Sequence, residues 1–371
     1  MYAADSIIDR QDNMIEKVEK IASKLKAFGI DAIVLHSAEN RRYITGLKTS
    51  SGAVLITAEG KCACITDFRY IEVLSKKAYD NICSVYEVPQ GMEDEFIGEL
   101  LKRYHCKSVY IEHFRISAQH YNILKSTWKA ELVESNGMIE SMRAIKDARE
   151  LEYIRVSQQI AEHSLDQTFK DVQVGMTEKE VEALLTWNLL KNGSENGIFG
   201  IVVASGPNSS MPHALPSGRR IDKGDFLLID FGAIYNGYYS DITRTAAVGY
   251  ATEEMKKVYD VVHKANCEAI AALGKGCCGS EMDRAARDII TQSGYGEYFG
   301  HGLGHGVGLE IHESPRLSKG SKEIIQAGNV ITVEPGIYLP GKFGVRIEDL
   351  IYIGEDGIEN LTSMTKELTI I

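Results

Sequence analysis

Two hairpin-like segments that bury acidic residues inside apolar strands constrain this chain more than any other feature. Residues 226–231 read FLLIDF, with Asp230 set inside a run that otherwise belongs in a core. Tyr235-Asn236-Gly237 supplies a turn, and residues 238–245 (YYSDITRT) return. A hairpin centred between Tyr235 and Asn236 sets Asp230 opposite Asp241, and directly opposed side chains have Cβ atoms ~5 Å apart. Downstream, residues 330–334 (VITVE) lead through Pro335-Gly336-Ile337-Tyr338 to a Pro340-Gly341-Lys342 turn, and residues 345–350 (VRIEDL) come back. Centred on Gly341, that hairpin sets Glu334 opposite Glu348. Carboxylates paired this way in an apolar sheet repel each other and disfavour folding unless positive charge lies between them. Either Arg244, Arg346 or lysines neutralise the four acids, or metal ions do.

Residues 299–313, FGHGLGHGVGLEIHE, add imidazoles at His301, His305 and His312 among five glycines. Glycine permits close backbone approach and unusual dihedrals, so this stretch reads as a loop or irregular strand wrapped around a site. Four carboxylates with one imidazole make a hard, oxygen-rich donor set. It favours manganese and can hold cobalt, iron or zinc, rather than a copper or thiolate centre. Carboxylates that bridge suggest two divalent ions ~3.5 Å apart sharing a water.

The rest of the chain sets the frame. At 371 residues, with 44% hydrophobic and 25% charged, it reads as a soluble protein of about two domains. A net charge of −11 argues against nucleic-acid and anionic-membrane partners. The first fourteen residues lack the basic start and apolar run of a secretory signal, and no stretch reaches the ~20 apolar residues of a membrane span. Seven scattered cysteines without a CxxC pair read as reduced thiols in the cytoplasm.

Residues 1–138 read as an α/β domain. A helix over 15–28 ends at Gly29, strands follow at 32–36, 53–57 and 61–66, and a helix spans 69–78. A strand near Val85, a helix over 93–104 and a strand over 108–112 complete it. The TDFRY patch at 66–70 is the most distinctive polar patch of this domain, and an exposed turn accounts for it about as well as a functional role. Residues 139–371 form the second domain, opened by one long helix over 143–169. Another helix is capped by Thr177 with Glu180, and further helices span 252–273 and 281–293 between strands. No short-period repeat is visible.

Taken together, these motifs resemble the pita-bread metallopeptidases, which include methionine aminopeptidases, Xaa-Pro aminopeptidases and prolidases. The resemblance covers residues 143–371. It implies an α/β, creatinase/prolidase-type N-terminal domain followed by an α+β pita-bread catalytic domain. It matches the family's ligands to Asp230 in IDFGA, Asp241 in SDITRT, His305 in GHGLGHGVG, Glu334 in VEPGIY and Glu348 in VRIED. Asp230 would then chelate one ion, His305 and Glu334 the other, and Asp241 and Glu348 both. His213 in MPHALPS and His312 in IHE match histidines that approach substrate and stabilise the tetrahedral intermediate. His301 and Arg346 match residues on the proline side, with Tyr338 bordering them.

The function so implied is hydrolysis of an N-terminal Xaa-Pro bond, in a dipeptide or a longer peptide, through a hydroxide bridging two cations, with Glu334 shuttling the proton. The extra N-terminal domain favours the proline-specific branch, and implies a homodimer in which that domain contributes to dimer contacts and substrate access. A methionine-aminopeptidase-like enzyme is the alternative within the fold, and a non-catalytic interaction module the alternative outside enzymes. Creatinase shares the fold but lacks the ligands that are all present here.

Overall fold

The computed structural model describes residues 7–76, 83–195 and 200–371. The end of the helix expected over 69–78 and the start of the segment read as lacking a secretory signal therefore lie outside the described residues. The chain divides into two compact units, Met1–Met142 and Arg143–Ile371.

In the first unit the order is α1 (Ile7–Phe28), β1 (Ala32–Leu35), α2 (Ala38–Thr45), β2 (Ala53–Thr57), β3 (Cys62–Thr66), α3 (Phe68–Lys76) and β4 (Cys83–Glu87). There follow α4 (Glu93–Arg103), β5 (Ser108–Ile111), α5 (Ala118–Thr127) and β6 (Glu131–Glu134). Among the described residues the strands form one six-stranded mixed sheet in the order β4-β3-β2-β1-β5-β6. Alternation sends Val34, Leu55, Ala63 and Ile65 into one core with Ile97, Leu100 and Leu101 of α4 and Leu124 of α5.

Sequence reading omitted α2, α5 and β6. The helices carried their own signals, Ser37 and Ser117 as N-caps accepting from Asn40 and His120 N–H groups, and Gly46 as a left-handed C-cap. TDFRY is not an exposed turn, because Asp67 is buried. Its carboxylate accepts from the Arg69 backbone N–H and guanidinium and from Ser51 Oγ. The Arg69 bonds, with that of Ser51, hold it well below the usual carboxylate range.

After α6 (Met138–Arg143), the second unit runs α7 (Ala148–Asp171), α8 (Glu178–Lys191), β7 (Val202–Ser205), β8 (Phe226–Phe231), β9 (Ile234–Tyr235), β10 (Tyr238–Tyr239) and β11 (Ile242–Ala247). It continues with α9 (Glu253–Ala272), α10 (Gly279–Gln292), β12 (Gly304–Gly306), β13 (Glu313–Leu317), β14 (Val330–Val333), β15 (Gly336–Leu339), β16 (Phe343–Arg346), β17 (Asp349–Ile353) and β18 (Ile358–Asn360). The long helix expected over 143–169 is broken. Asp147 caps α7 and forms a capping box with Glu150, which ends the preceding turn and restarts the helix.

The unit is built twice over. Helices α7 and α8 pack on the antiparallel sheet β11-β8-β7 through Ile160, Leu165, Leu185, Leu227 and Ile229. Helices α9 and α10 pack on β14 and β17 through Val258, Val262, Ala286, Ile331 and Ile351. The second helix of each pair opens the same way, with Glu180 reaching back to the Thr177 N–H and Glu281 to that of Cys278. This duplication is tertiary, since the two halves share capping and layering rather than a short sequence period.

The acidic segments are hairpins, but only one has the expected register. Tyr235 pairs with Tyr238 and Asp230 with Thr243, so the turn is Asn236-Gly237 and Asp230 does not face Asp241. The reason is local: Asn236 and Gly237 both take positive φ, 47° and 85°, as a two-residue type I′ hairpin turn requires. Asp241 therefore lies diagonally from Asp230, on the same face. In the second hairpin Leu339 pairs with Phe343 and Val333 with Asp349, as a turn centred on Gly341 demands.

Candidate metal centre and substrate pocket

The second hairpin opens where its acids sit. Between the β14–β17 and β15–β16 ladders, the Glu334 N–H donates to Leu303 O and the Glu348 N–H to Thr243 O. Those two bonds tie the hairpin to the His305 segment and to β11. Gly232 does a similar job on the first hairpin: a Cβ there would lie 1.8 Å from Ser240 O, so only glycine lets the strand carrying Asp230 close on Asp241. Gly232→Ala should destabilise the unit by about 1–3 kcal/mol through this overpacking, read as a lower denaturation midpoint. An unchanged midpoint would contradict the close approach.

His305 lies on β12 at a register shift between His305 and Gly306, a bulge that re-aims its side chain. Its Nδ1–H donates to Gly306 O at 3.0 Å, leaving Nε2 as the unprotonated atom. Burial, reinforced by His312, pushes its pKa down to about 3, so the imidazole is neutral. Nε2 sits 3.6 Å from Asp241 Oδ2 and 3.5 Å from Glu334 Oε1. Both separations are long for a hydrogen bond. They are close to the ~3.0–3.4 Å expected between two donors that share one cation at ~2.1 Å. Asp241, His305 and Glu348 each offer a ligand atom, all within 4.8 Å of one another.

Electrostatics points the same way. Burial, with repulsion from Asp230 and Glu334, raises Asp241 far above the carboxylate range. Burial with Asp241 and Glu334 does the same to Glu348. Glu334 is pushed up to about 8, by burial and Asp230 against the pull of Arg346. Arg346, the guanidinium at this cluster, is ion-paired with Asp230. One guanidinium ion-paired within four carboxylates, with Arg316 acting on Glu334 from the cavity wall, leaves an excess of acids, and divalent cations fit that excess and the oxygen-rich donor set. Thr243, unnoticed in the sequence, orients the set: its Oγ1 donates to Glu348 Oε2 at 2.6 Å and accepts from Arg346 Nε at 3.1 Å.

A cavity of about 680 Å³ opens beside this cage, within the ~300–1,000 Å³ of small-ligand sites. His213, His301, His312 and Arg346 lie on its wall together with Asp230, Asp241, His305, Glu334 and Glu348. Tyr338, expected to border the substrate, does not. Its ring is buried, and its hydroxyl accepts from Arg346 Nη1 at 2.7 Å and sits 2.8 Å from His301 Nε2. The His301 Nδ1–H donates to Gly302 O at 2.8 Å, so the Tyr338 hydroxyl donates to Nε2 and both ring nitrogens are occupied. No ring nitrogen of His301 is thus left for a further hydrogen bond. Burial, with Arg346 adding to it, pushes its pKa down to about 4.

The His312 ring lies 4.4 Å from that of His305, edge-on. Its segment is held from behind by Glu313, whose carboxylate pairs with Arg143 and Lys146. Sequence reading missed this anchor, as it missed Arg316, which alternates with inward-facing residues along β13 and lines the cavity. Among the described residues the Arg316 guanidinium makes no ion pair.

A carboxylate–imidazole cage beside a peptide-sized cavity, on a twice-built α+β unit, defines a metal-dependent hydrolase. The chain belongs to metallopeptidase family M24, whose profile matches residues 152–355, while the creatinase/prolidase N-terminal domain matches residues 17–145. It is 36% identical to an Xaa-Pro dipeptidase of Pyrococcus horikoshii over 96% of this chain and 99% of that protein. Among solved structures it resembles an Xaa-Pro dipeptidase from Bacillus anthracis, with TM-score 0.92, 38% identity and 97% and 100% of the two chains covered. It also resembles an X-Pro aminopeptidase from Thermotoga maritima, with TM-score 0.87, 34% identity and 94% and 100% coverage. The family implies divalent metal ions. Among the described residues no helix is long and apolar enough to cross a membrane.

Proposed function

We propose that this protein is a metal-dependent exopeptidase that hydrolyses the Xaa-Pro bond of dipeptides, using two divalent ions of which manganese is the natural occupant. The observation that carries the reading is the convergence of Asp241, His305 and Glu348 on one point of a cavity that also presents an uncommitted arginine. Asp230, Asp241, His305, Glu334 and Glu348 would hold the ions. When bound, such ions supply a polarised carbonyl and an acidified water.

The chain's own groups do the rest. Glu334, on the cavity wall, is placed to carry a proton from water to the leaving imide nitrogen. Neutral His312, its pKa lowered by burial and Arg316, can donate a hydrogen bond to the developing oxyanion. His213, exposed on the wall, can orient the substrate backbone. The ring face of His301 suits proline, which has no N–H to satisfy.

Arg316 favours the dipeptide over the longer peptide. Arg346 is committed to Asp230, Tyr338 and Thr243, which leaves Arg316 to meet the proline carboxylate. A charge-assisted hydrogen bond contributes about 1.5–3 kcal/mol. Arg316→Met should thus raise KM for an Xaa-Pro dipeptide by about 10- to 100-fold while leaving an Xaa-Pro amide little changed. Equal effects on both substrates would count against this role.

Chelation should reduce hydrolysis by more than about 100-fold, with manganese restoring it; activity that survives chelation would defeat the mechanism. Assembly as a homodimer, with residues 1–138 contributing to dimer contacts and substrate access and 139–371 to catalysis, belongs to the same reading. Light scattering on purified protein tests it. Seven free thiols support a reducing, cytoplasmic setting.

A further inference from the structure

The first unit holds a second cluster of ligand-type side chains, of a different chemistry. Cys62 and Cys64 are two residues apart on β3 and so project from one face of the sheet. Cys83 lies directly opposite Cys62 in the parallel β3–β4 ladder. The intervening Ala63 and Ile65 join the hydrophobic core on the other face. The three sulfurs converge: Cys83 Sγ is 2.9 Å from Cys62 Sγ and 3.2 Å from Cys64 Sγ. Both distances are below the roughly 3.5–4.0 Å of ordinary non-bonded contact. All three residues are at most 4% exposed. Among the described residues their only other hydrogen-bond partner is Ser84 O, 3.8 Å from Cys83 Sγ.

We propose that Cys62, Cys64 and Cys83 form a three-sulfur site for a soft, thiophilic metal ion. Packing alone accounts poorly for the cluster. A thiol is a weak donor and a weak acceptor, so three of them pressed below contact distance gain little from one another. A cation bound at ~2.3 Å from each sulfur would spread them to ~4 Å, a change within reach of small side-chain rotations. The donors within 4.8 Å of one another are all sulfur, which selects Cu(I), Zn(II) or Cd(II) and discriminates against Mn(II) or Mg(II). Binding exchanges thiol protons for the ion, with no change in sulfur oxidation state. The ion would clip β4, an edge strand of the sheet, to its neighbour, and edge strands are held from one side only. The site is thus orthogonal in metal preference to the carboxylate cage, and a soft ion there has a structural task.

Cd2+ added to the full-length, metal-free, reduced protein is the probe. Wild type should show thiolate-to-cadmium charge-transfer absorption and a 113Cd resonance in the range of three-sulfur coordination, distinct from any oxygen-ligated cadmium at the cage. Cys64→Ala should lose that resonance and about one bound Cd2+ per chain, while its manganese-restored peptidase activity stays within about twofold of wild type. Displacement of the cadmium by Zn2+ or by Cu(I) supports the site and separates the two candidate residents. Absence of the three-sulfur resonance from wild type overturns the proposal whether or not the variant folds. So does its persistence in folded Cys64→Ala, or oxidation to a Cys62–Cys83 disulfide in place of cadmium uptake.

Discussion

Replacing Glu334 by glutamine is expected to lower kcat/KM on an Xaa-Pro dipeptide by about 10³-fold or more, near 4 kcal/mol of transition-state stabilisation. The substitution is nearly isosteric, and the backbone bond from Glu334 N–H to Leu303 O is untouched. What changes is charge and proton affinity at one point of the cage. The carboxylate oxygen 3.5 Å from His305 Nε2 becomes a neutral amide. It binds a hard cation weakly and cannot carry a proton to the leaving nitrogen. The fold should survive, because Asp241 and Glu348 both feel repulsion from Glu334 and the variant relieves it. Kinetics on the dipeptide, paired with manganese counted by equilibrium dialysis, checks both halves. Activity within tenfold of wild type would remove Glu334 from the mechanism.

Glu313→Ala should instead strike the fold, costing about 3–5 kcal/mol. Glu313 is buried between Arg143 and Lys146, themselves buried. Its removal leaves two cations in a dry site with one partner fewer, with Glu310 still paired to Arg143. The anchor behind His312 goes with it, so activity should fall as well. The wild-type contribution also has a defined pH window. Burial raises the Glu313 pKa, but Lys146 and Arg143 outweigh it and hold the group below its ordinary value. A carboxyl depressed in the folded state contributes stability above its unfolded pKa, ~4.5, and loses it as pH falls through the folded value. Urea denaturation should accordingly show a wild-type to Glu313→Ala gap that is full at pH 7 and narrows below pH ~4.5. A gap that stays constant into acid would refute the ion-pair account.

Much of the cage was legible because strand periodicity is local. The first hairpin shows how far that goes. Moving its turn to Asn236-Gly237 shifts each partner by two residues, and a shift of two keeps every side chain on its face. Asp230 and Asp241 therefore remained on one surface although they do not oppose each other. The second hairpin, turning at Gly341, kept the expected register on both sides of Glu334 and Glu348, although the ladder opens at the acids themselves. The broken helix at Asp147 and the caps of α2 and α5 were also local signals, readable from Ser, Asp and Glu spacing.

The sequence by itself thus determined which acids share a surface, where the second hairpin turns, and that something cationic must meet four carboxylates. Only the tertiary structure decided which histidine points into the cage, since His301, His305 and His312 occupy similar glycine-rich settings. A bulge and a bond to Gly306 O chose His305, a bond from Tyr338 tied up His301, and a salt bridge 170 residues away in sequence anchors the segment of His312. It decided equally that Arg346 is spent on Asp230, that Tyr338 stands behind the wall, and that Arg316 lines the cavity with no ion pair among the described residues. Apart from the bond to the neighbouring Gly306 carbonyl, these are non-local pairings, fixed by how sheets and loops stack, and periodicity along the chain carries no information about them.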